Sequence, residues 1–143
     1  MRADEPDHQG RAVRWVRGSF SCGAIADFLA VVAMVFPGIG ASLYGLKDFR
    51  PGSDFIYAID TAAALMLGWT ALLLWADRRP LERKGVLVLT VCPVIAGMVL
   101  GEIVAVRGGL LPLVNVIPTF VVQIALSALF LYSYALAGAS SRH

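Results

Sequence analysis

Four long apolar stretches joined by short charged connections constrain this 143-residue chain more than any other feature. They cover about residues 20–46, 56–76, 85–106 and 110–137. A helix needs about 20 apolar residues to cross the roughly 30 Å hydrocarbon layer of a bilayer, and each stretch reaches that length. All four are too long for buried strands. Backbone amides in lipid must be paired within their own segment, so helices are the expected form. Composition agrees, with 58% of residues hydrophobic and 15% charged, against roughly 25% charged in a typical soluble domain. A soluble globular domain, a disordered chain and a coiled coil are excluded. The expected fold is all-α, an integral membrane four-helix bundle. Residues 1–19 form a basic tail, 20–137 the membrane domain and 138–143 a second short tail.

Positive charges flanking the spans set the expected orientation. Arg2, Arg11, Arg14 and Arg17 precede the first span, Arg78, Arg79, Arg83 and Lys84 follow the second, and Arg142 follows the fourth. These nine fall on one side, against three (Lys47, Arg50 and Arg107) on the other, which predicts both termini in the cytoplasm. The first apolar stretch exceeds the roughly 7–15 residues of a signal peptide and is interrupted by Asp27, so it reads as a retained span. Within 11–19, arginines recur every third position around Trp15 and Val16. That pattern suits an ordinary basic anchor, or a short helix lying on an anionic surface.

A charge inside a span costs about 2.5–3.5 kcal/mol on insertion scales, so such residues tend to face the bundle interior and to mark function. Counting from residue 20, Asp27 falls about 10 Å inside the cytoplasmic edge. Asp60 and Glu102 each fall about four residues from the outer end of their spans, and Asn115 begins the fourth at similar depth. Asn115, Thr119, Gln123 and Ser127 then recur every four residues on one slowly turning stripe about 18 Å long. Small residues offer matching narrow faces: Pro93, Gly97 and Gly101 on the third helix, and Ala64 and Gly68 beside Asp60 on the second. Pro37-Gly38-Ile39-Gly40 should break or kink the first helix. The tryptophans and tyrosines, Tyr44 among them, fall mostly near the interfaces, as an aromatic belt does.

Several chemistries find no support. A net charge of +2 is too balanced for a nucleic-acid binder. Cys22 and Cys92 lie in apolar runs and read as inert buried thiols. With no CxxC pair and no Cys/His cluster, no redox motif, metal site or cofactor is indicated.

The run Gly68-Trp69-Thr70-Ala71-Leu72-Leu73-Leu74-Trp75-Ala76-Asp77-Arg78-Arg79-Pro80-Leu81-Glu82-Arg83-Lys84-Gly85-Val86-Leu87 resembles a segment of small bacterial four-span membrane proteins of uncharacterised chemistry. The resemblance covers the second helix, the loop and the start of the third. It implies a multi-pass protein of the bacterial inner membrane and carries over no catalytic residue. Asp27 and Asp60 also give an architectural likeness to the four-span bundles of the DoxX-like and sterol-binding EXPERA groups. In this chain the two carboxylates are expected in opposite leaflets. Small multidrug transporters likewise carry one acidic residue in their first helix, but in a shorter, more compact layout.

Three functions fit these residues. A carrier or binding bundle for a small solute or amphipathic molecule would use Asp27, Asp60 and Glu102 to hold a proton or cation, with Asn115, Thr119, Gln123 and Ser127 lining the route. A non-catalytic accessory subunit would instead present Arg78, Arg79, Arg83 and Lys84 to a partner or to anionic lipid. A lipid-modifying enzyme would use Asp60 and Glu102 as an acid/base pair, but no nucleophile–base arrangement accompanies them, so this reading ranks last. The partners expected for the first reading are the bilayer, an amphipathic small molecule and further copies of the chain.

Overall fold

Proline and glycine positions decide where the helices stop. The structure, a computed structural model, describes residues 5–46 and 48–139, with side chains from residue 9 onward. Arg2, Lys47 and Arg142 of the charge count lie outside the described residues. Helix α1 (Glu5–Val35) ends at Phe36, whose non-helical φ of −112° is what a following proline favours. Pro37 opens the short helix α2 (Pro37–Leu43), where its missing amide hydrogen costs nothing. A Cβ added at Gly40 would lie 2.9 Å from the Ala33 carbonyl oxygen, so only glycine lets α2 fold back on the last turn of α1. The expected break at 37–40 is therefore present, as a full interruption.

Helix α3 (Ser53–Asp77) returns beside α1. The third span is composite. It starts as α4 (Gly85–Leu89), opens into a π-helical turn (Thr90–Ile95) and continues as α5 (Ala96–Arg107). Pro93 lies inside the wide turn, where its ring and absent donor disrupt the ordinary ladder. Helix α6 (Leu113–Ala139) closes the bundle. The described residues contain four helices long and apolar enough to cross a membrane, Gln9–Val35, Ser53–Asp77, Gly85–Arg107 and Leu113–Ala139. The chain is an all-α four-span membrane protein.

Neighbouring spans run antiparallel. Ser19 and Ser133 share a 2.7 Å hydrogen bond between the start of α1 and the end of α6. Arg17 approaches Asp77 at 3.6 Å between the start of α1 and the end of α3. Lys84 donates to the Ala137 carbonyl at 3.1 Å. The start of α1 and the end of α6 thus lie at the same end of the bundle. The apolar core is built towards this end, from Val16, Phe20, Ala24, Leu73, Ala76, Leu87, Ile95, Phe130 and Ala137. On α6 the fully covered positions Val116, Gln123, Phe130 and Ala137 repeat every seven residues, the spacing that keeps one seam against antiparallel neighbours.

The structure differs from the sequence reading in four places. The first helix runs over 5–35 rather than 20–46, and residues 11–19 are its opening turns rather than a separate tail or surface helix. Ala12, Val16, Ser19 and Phe20 are fully buried there, an inward stripe that the interspersed arginines mask in the sequence. Cys22 and Cys92 are exposed, so neither is a buried thiol. Gly97 and Gly101 meet nothing within 4 Å, and Pro93 faces outward with them. Ala64 and Gly68 face outward too, while α3 buries Ala63, Thr70, Leu73 and Ala76.

The π turn explains the outward glycines. Leu87 and Thr90 face inward, and a continuous α-helix would bring positions near 94, 97 and 101 to the same face. The extra residue in the turn rotates everything after it by about 100°. Ile95 and Glu102 become the buried positions instead.

Candidate functional site

Glu102 is the centre of the polar interior. It is 9% exposed, and its Oε1 accepts a hydrogen bond from Gln123 Nε2 at 3.3 Å and a long one from the Tyr44 hydroxyl at 3.5 Å. Asn115 Nδ2 donates to the Tyr44 carbonyl at 2.8 Å. Thr119 is a polar neighbour of the Tyr44 phenol. Three members of the predicted α6 stripe, Asn115, Thr119 and Gln123, therefore meet Glu102 through Tyr44 or directly. Ser127, one turn further on, is half-buried.

Tyr44 joins two elements, and sequence reasoning assigned it only to the aromatic belt. Its place depends on Gly45, whose φ of +66° is left-handed and whose absent Cβ leaves room for the Asn115 amide. Burial, and then the Glu102 carboxylate, push the Tyr44 phenol up from its usual 10.0, so it remains a protonated donor. The signal that could have found it is its position: a hydroxyl directly after the Pro-Gly-Ile-Gly break and before a turn glycine, at the same depth as Glu102.

Donors and acceptors do not balance in this interior. Glu102 Oε2, Gln123 Oε1 and Asp27 Oδ2 are buried and receive no hydrogen bond from the described protein. All three are acceptors. The Gln123 orientation follows from chemistry, because turning its amide over would set its oxygen against the Glu102 carboxylate. A buried polar group left without a partner costs about 1–3 kcal/mol, so three acceptors favour a donor of some kind among them.

The depth of Asp27 follows from its neighbours on α3. Trp75 and Tyr57 on α3 stand 18 residues apart, about 27 Å, which matches the roughly 30 Å between the two interfaces. The middle of that interval is Met66. Gly23 packs against Leu73, with an added Cβ falling 3.2 Å from its Cδ1, so Asp27 comes level with Trp69. Asp27 is then about 5 Å from the mid-plane on the side of the chain ends, the same depth that about 10 Å inside one edge of a roughly 30 Å layer gives. It continues the inward spacing of Phe20, Ala24 and Val31 and is half-buried. Trp69 itself donates to Thr90 Oγ1 at 3.3 Å, tying α3 to the π turn.

Asp60 is not brought into this group. It is exposed on α3, one turn from Tyr57, and no hydrogen bond links it to Glu102. The two outer carboxylates thus differ in surroundings, Asp60 exposed and Glu102 buried. The four loop cations do not form one surface. The Arg83 guanidinium stacks 3.3 Å over the Trp75 ring and donates to the Trp75 carbonyl, and Lys84 caps α6 at Ala137. Arg79 pairs with Glu82 at 3.2 Å, and Arg78 is exposed. Among the described residues, no three His, Cys, Asp or Glu side chains are grouped to hold a metal ion.

Comparison with family models, with curated proteins and with solved structures gives no match for this chain.

Proposed function

We propose that this protein is a membrane-embedded binding or carrier bundle for a small or amphipathic molecule, held through a cationic or hydrogen-bond-donating group at Glu102. The observation that carries this reading is the pair of buried acceptors, Glu102 Oε2 and Gln123 Oε1, on side chains already bonded to each other. A donor bearing positive charge satisfies both and offsets the cost of a carboxylate in low dielectric. Asp27, near the mid-plane on the inward face of α1, is a second station for the same group or for a proton. Asp60 stands outside the route. The charge asymmetry supports a bacterial inner-membrane location with both termini cytoplasmic. The outward faces at Gly97 and Gly101, and at Ala64 and Gly68, support a homo-oligomer, because small residues allow close helix approach.

Native mass spectrometry of the purified chain in mild detergent tests the reading, since subunit count and retained mass are read together. The wild type is expected to hold a defined small molecule, and Glu102→Gln to lose it while remaining folded by circular dichroism. A wild type that carries no small molecule, or one retained equally by Glu102→Gln, overturns it. An accessory-subunit role is the alternative. It rests on Arg78 and Arg79, since Arg83 and Lys84 are engaged in capping.

A further inference from the structure

Both protein donors at Glu102 end on the same atom. Gln123 Nε2 and the Tyr44 hydroxyl reach Oε1, at 3.3 and 3.5 Å, which leaves Glu102 Oε2 and Gln123 Oε1 buried and without a donor. The two residues are 9% and 5% exposed. Each open oxygen is geminal to an atom of the Gln123–Glu102 hydrogen bond, so both belong to one small polar centre between α5 and α6. A quaternary ammonium balances the carboxylate charge but has no N–H to give, and a protonated tertiary amine has one. Two open acceptors call for a head with at least two N–H donors. Quaternary heads are recognised instead by the faces of aromatic rings, whereas Tyr44 meets Glu102 through its hydroxyl.

Depth and surroundings define the rest of the molecule. Glu102 precedes Arg107, the last residue of α5, by five positions, about 7.5 Å along the helix. Arg107 marks the interface at that end of the bundle. A phospholipid amine reaching Glu102 would draw its phosphate that far into hydrocarbon and towards a carboxylate, which both desolvation and repulsion oppose. Glu102 is also the one buried residue of α5, and residues 53–62 of α3 include none. Leu100 and Val104 on α5, and Phe55 and Ile56 on α3, are exposed instead. The charged centre is covered while the apolar flanks around it open to hydrocarbon, which suits a molecule with one charged end and one apolar end.

We propose that the ligand is a long-chain primary amine carrying no phosphate, its ammonium donating one N–H to Glu102 Oε2 and another to Gln123 Oε1. This assignment rests on the reading of Glu102 as a binding group and names the class of head that the group selects. The experiment is native mass spectrometry of the full chain in mild detergent at neutral pH, with equimolar dodecylamine, N,N-dimethyldodecylamine and dodecyltrimethylammonium in competition. All three carry one positive charge and the same chain, so they differ in N–H count and in the methyl groups that replace it. One dodecylamine per chain is expected, with at least about a tenfold preference over the dimethyl compound, or 1.4 kcal/mol. Glu102→Gln should lose the adduct while remaining folded by circular dichroism. Gln123→Met should shrink the preference, because the tertiary head uses one acceptor and loses nothing when the second is removed. Dodecanoyl lysophosphatidylethanolamine, which adds a phosphate to the same amine, should give no adduct that depends on Glu102.

Trimethylammonium retained as well as dodecylamine, with both lost in Glu102→Gln, overturns the amine class and leaves the Glu102 reading standing. Equal retention of the lysophospholipid, or an undiminished preference in Gln123→Met, also overturns the class alone. The same holds if no amine binds while a molecule carried by the wild type is still lost in Glu102→Gln. Adducts indifferent to Glu102→Gln overturn both readings together.

Discussion

At the scale of single residues, the interior is organised by one turn. Gly45 adopts a φ of +66°, and Asn115 occupies the space where its side chain would be, so Tyr44 is delivered to Glu102 only if residue 45 is glycine. Left-handed backbone costs an L-residue roughly 1–2 kcal/mol, and the steric conflict with Asn115 adds to it. Gly45→Ala is expected to lower stability by about 1–3 kcal/mol in denaturant titrations of the purified protein in detergent micelles. Asn115→Ala removes the steric part but not the backbone part. Gly45→Ala should therefore cost less in that background, by a difference a double-mutant cycle resolves. Equal costs in both backgrounds would show that Asn115 does not pack where the turn places it. A further consequence concerns Tyr44 itself. Because its phenol stays protonated, its donation to Glu102 should not fade as pH rises through the ordinary range.

Elements explain what the sequence made legible and what it hid. The four spans could be read from length and polarity because the hydrocarbon thickness leaves no shorter solution. That Asn115, Thr119, Gln123 and Ser127 face protein could be read in advance because a polar stripe in lipid must do so. Depth counting put Asn115 level with Glu102 but also with Asp60, which is exposed, and did not single out Gln123 as the direct partner of Glu102. The register of the third span could not be read, because counting assumed an unbroken α-helix. Pro93 was visible, but its effect, one extra residue in the turn from Thr90 to Ile95, exchanges the glycine face for the Glu102 face. The start of α1 was missed for a different reason: arginines on the outer face concealed the inward spacing of Ala12, Val16, Ser19 and Phe20. The π turn makes a direct prediction. Pro93→Ala restores the missing amide donor and permits an ordinary helix, which would rotate α5 by about 100°. In a background with Cys22 and Cys92 replaced by serine, Gly101→Cys should react readily with a lipid-soluble maleimide. Adding Pro93→Ala should slow that reaction several-fold, and any small molecule retained by the wild type should be lost. Unchanged labelling would mean the wide turn survives without the proline.

The whole molecule divides into two unlike halves, and charge follows the division. Towards the chain ends, Phe20, Leu73, Leu87 and Phe130 pack into an apolar core, ringed by Trp15, Trp75, Tyr132 and the basic loop. Towards the other end, packing gives way to Tyr44, Glu102, Asn115 and Gln123. The basic residues at the first end serve two purposes that mutation can separate. Arg83 and Lys84 satisfy the carbonyl ends of α3 and α6, where a cation contributes typically 0.3–1 kcal/mol each. Arg78 and Arg79 close α3 through their backbone only: the Arg78 side chain is exposed and the Arg79 side chain pairs with Glu82. Arg83→Gln with Lys84→Gln should therefore reduce stability by about 0.5–2 kcal/mol, while Arg78→Gln with Arg79→Gln should leave it unchanged. Orientation is read separately, with reporters fused after residue 143. Green fluorescent protein there should fluoresce and alkaline phosphatase should be inactive, because nine positive charges against three favour this end in the cytoplasm. Phosphatase inserted between Gly108 and Gly109 should be active. The reverse pattern would place the basic end on the outer side, despite the positive-inside bias.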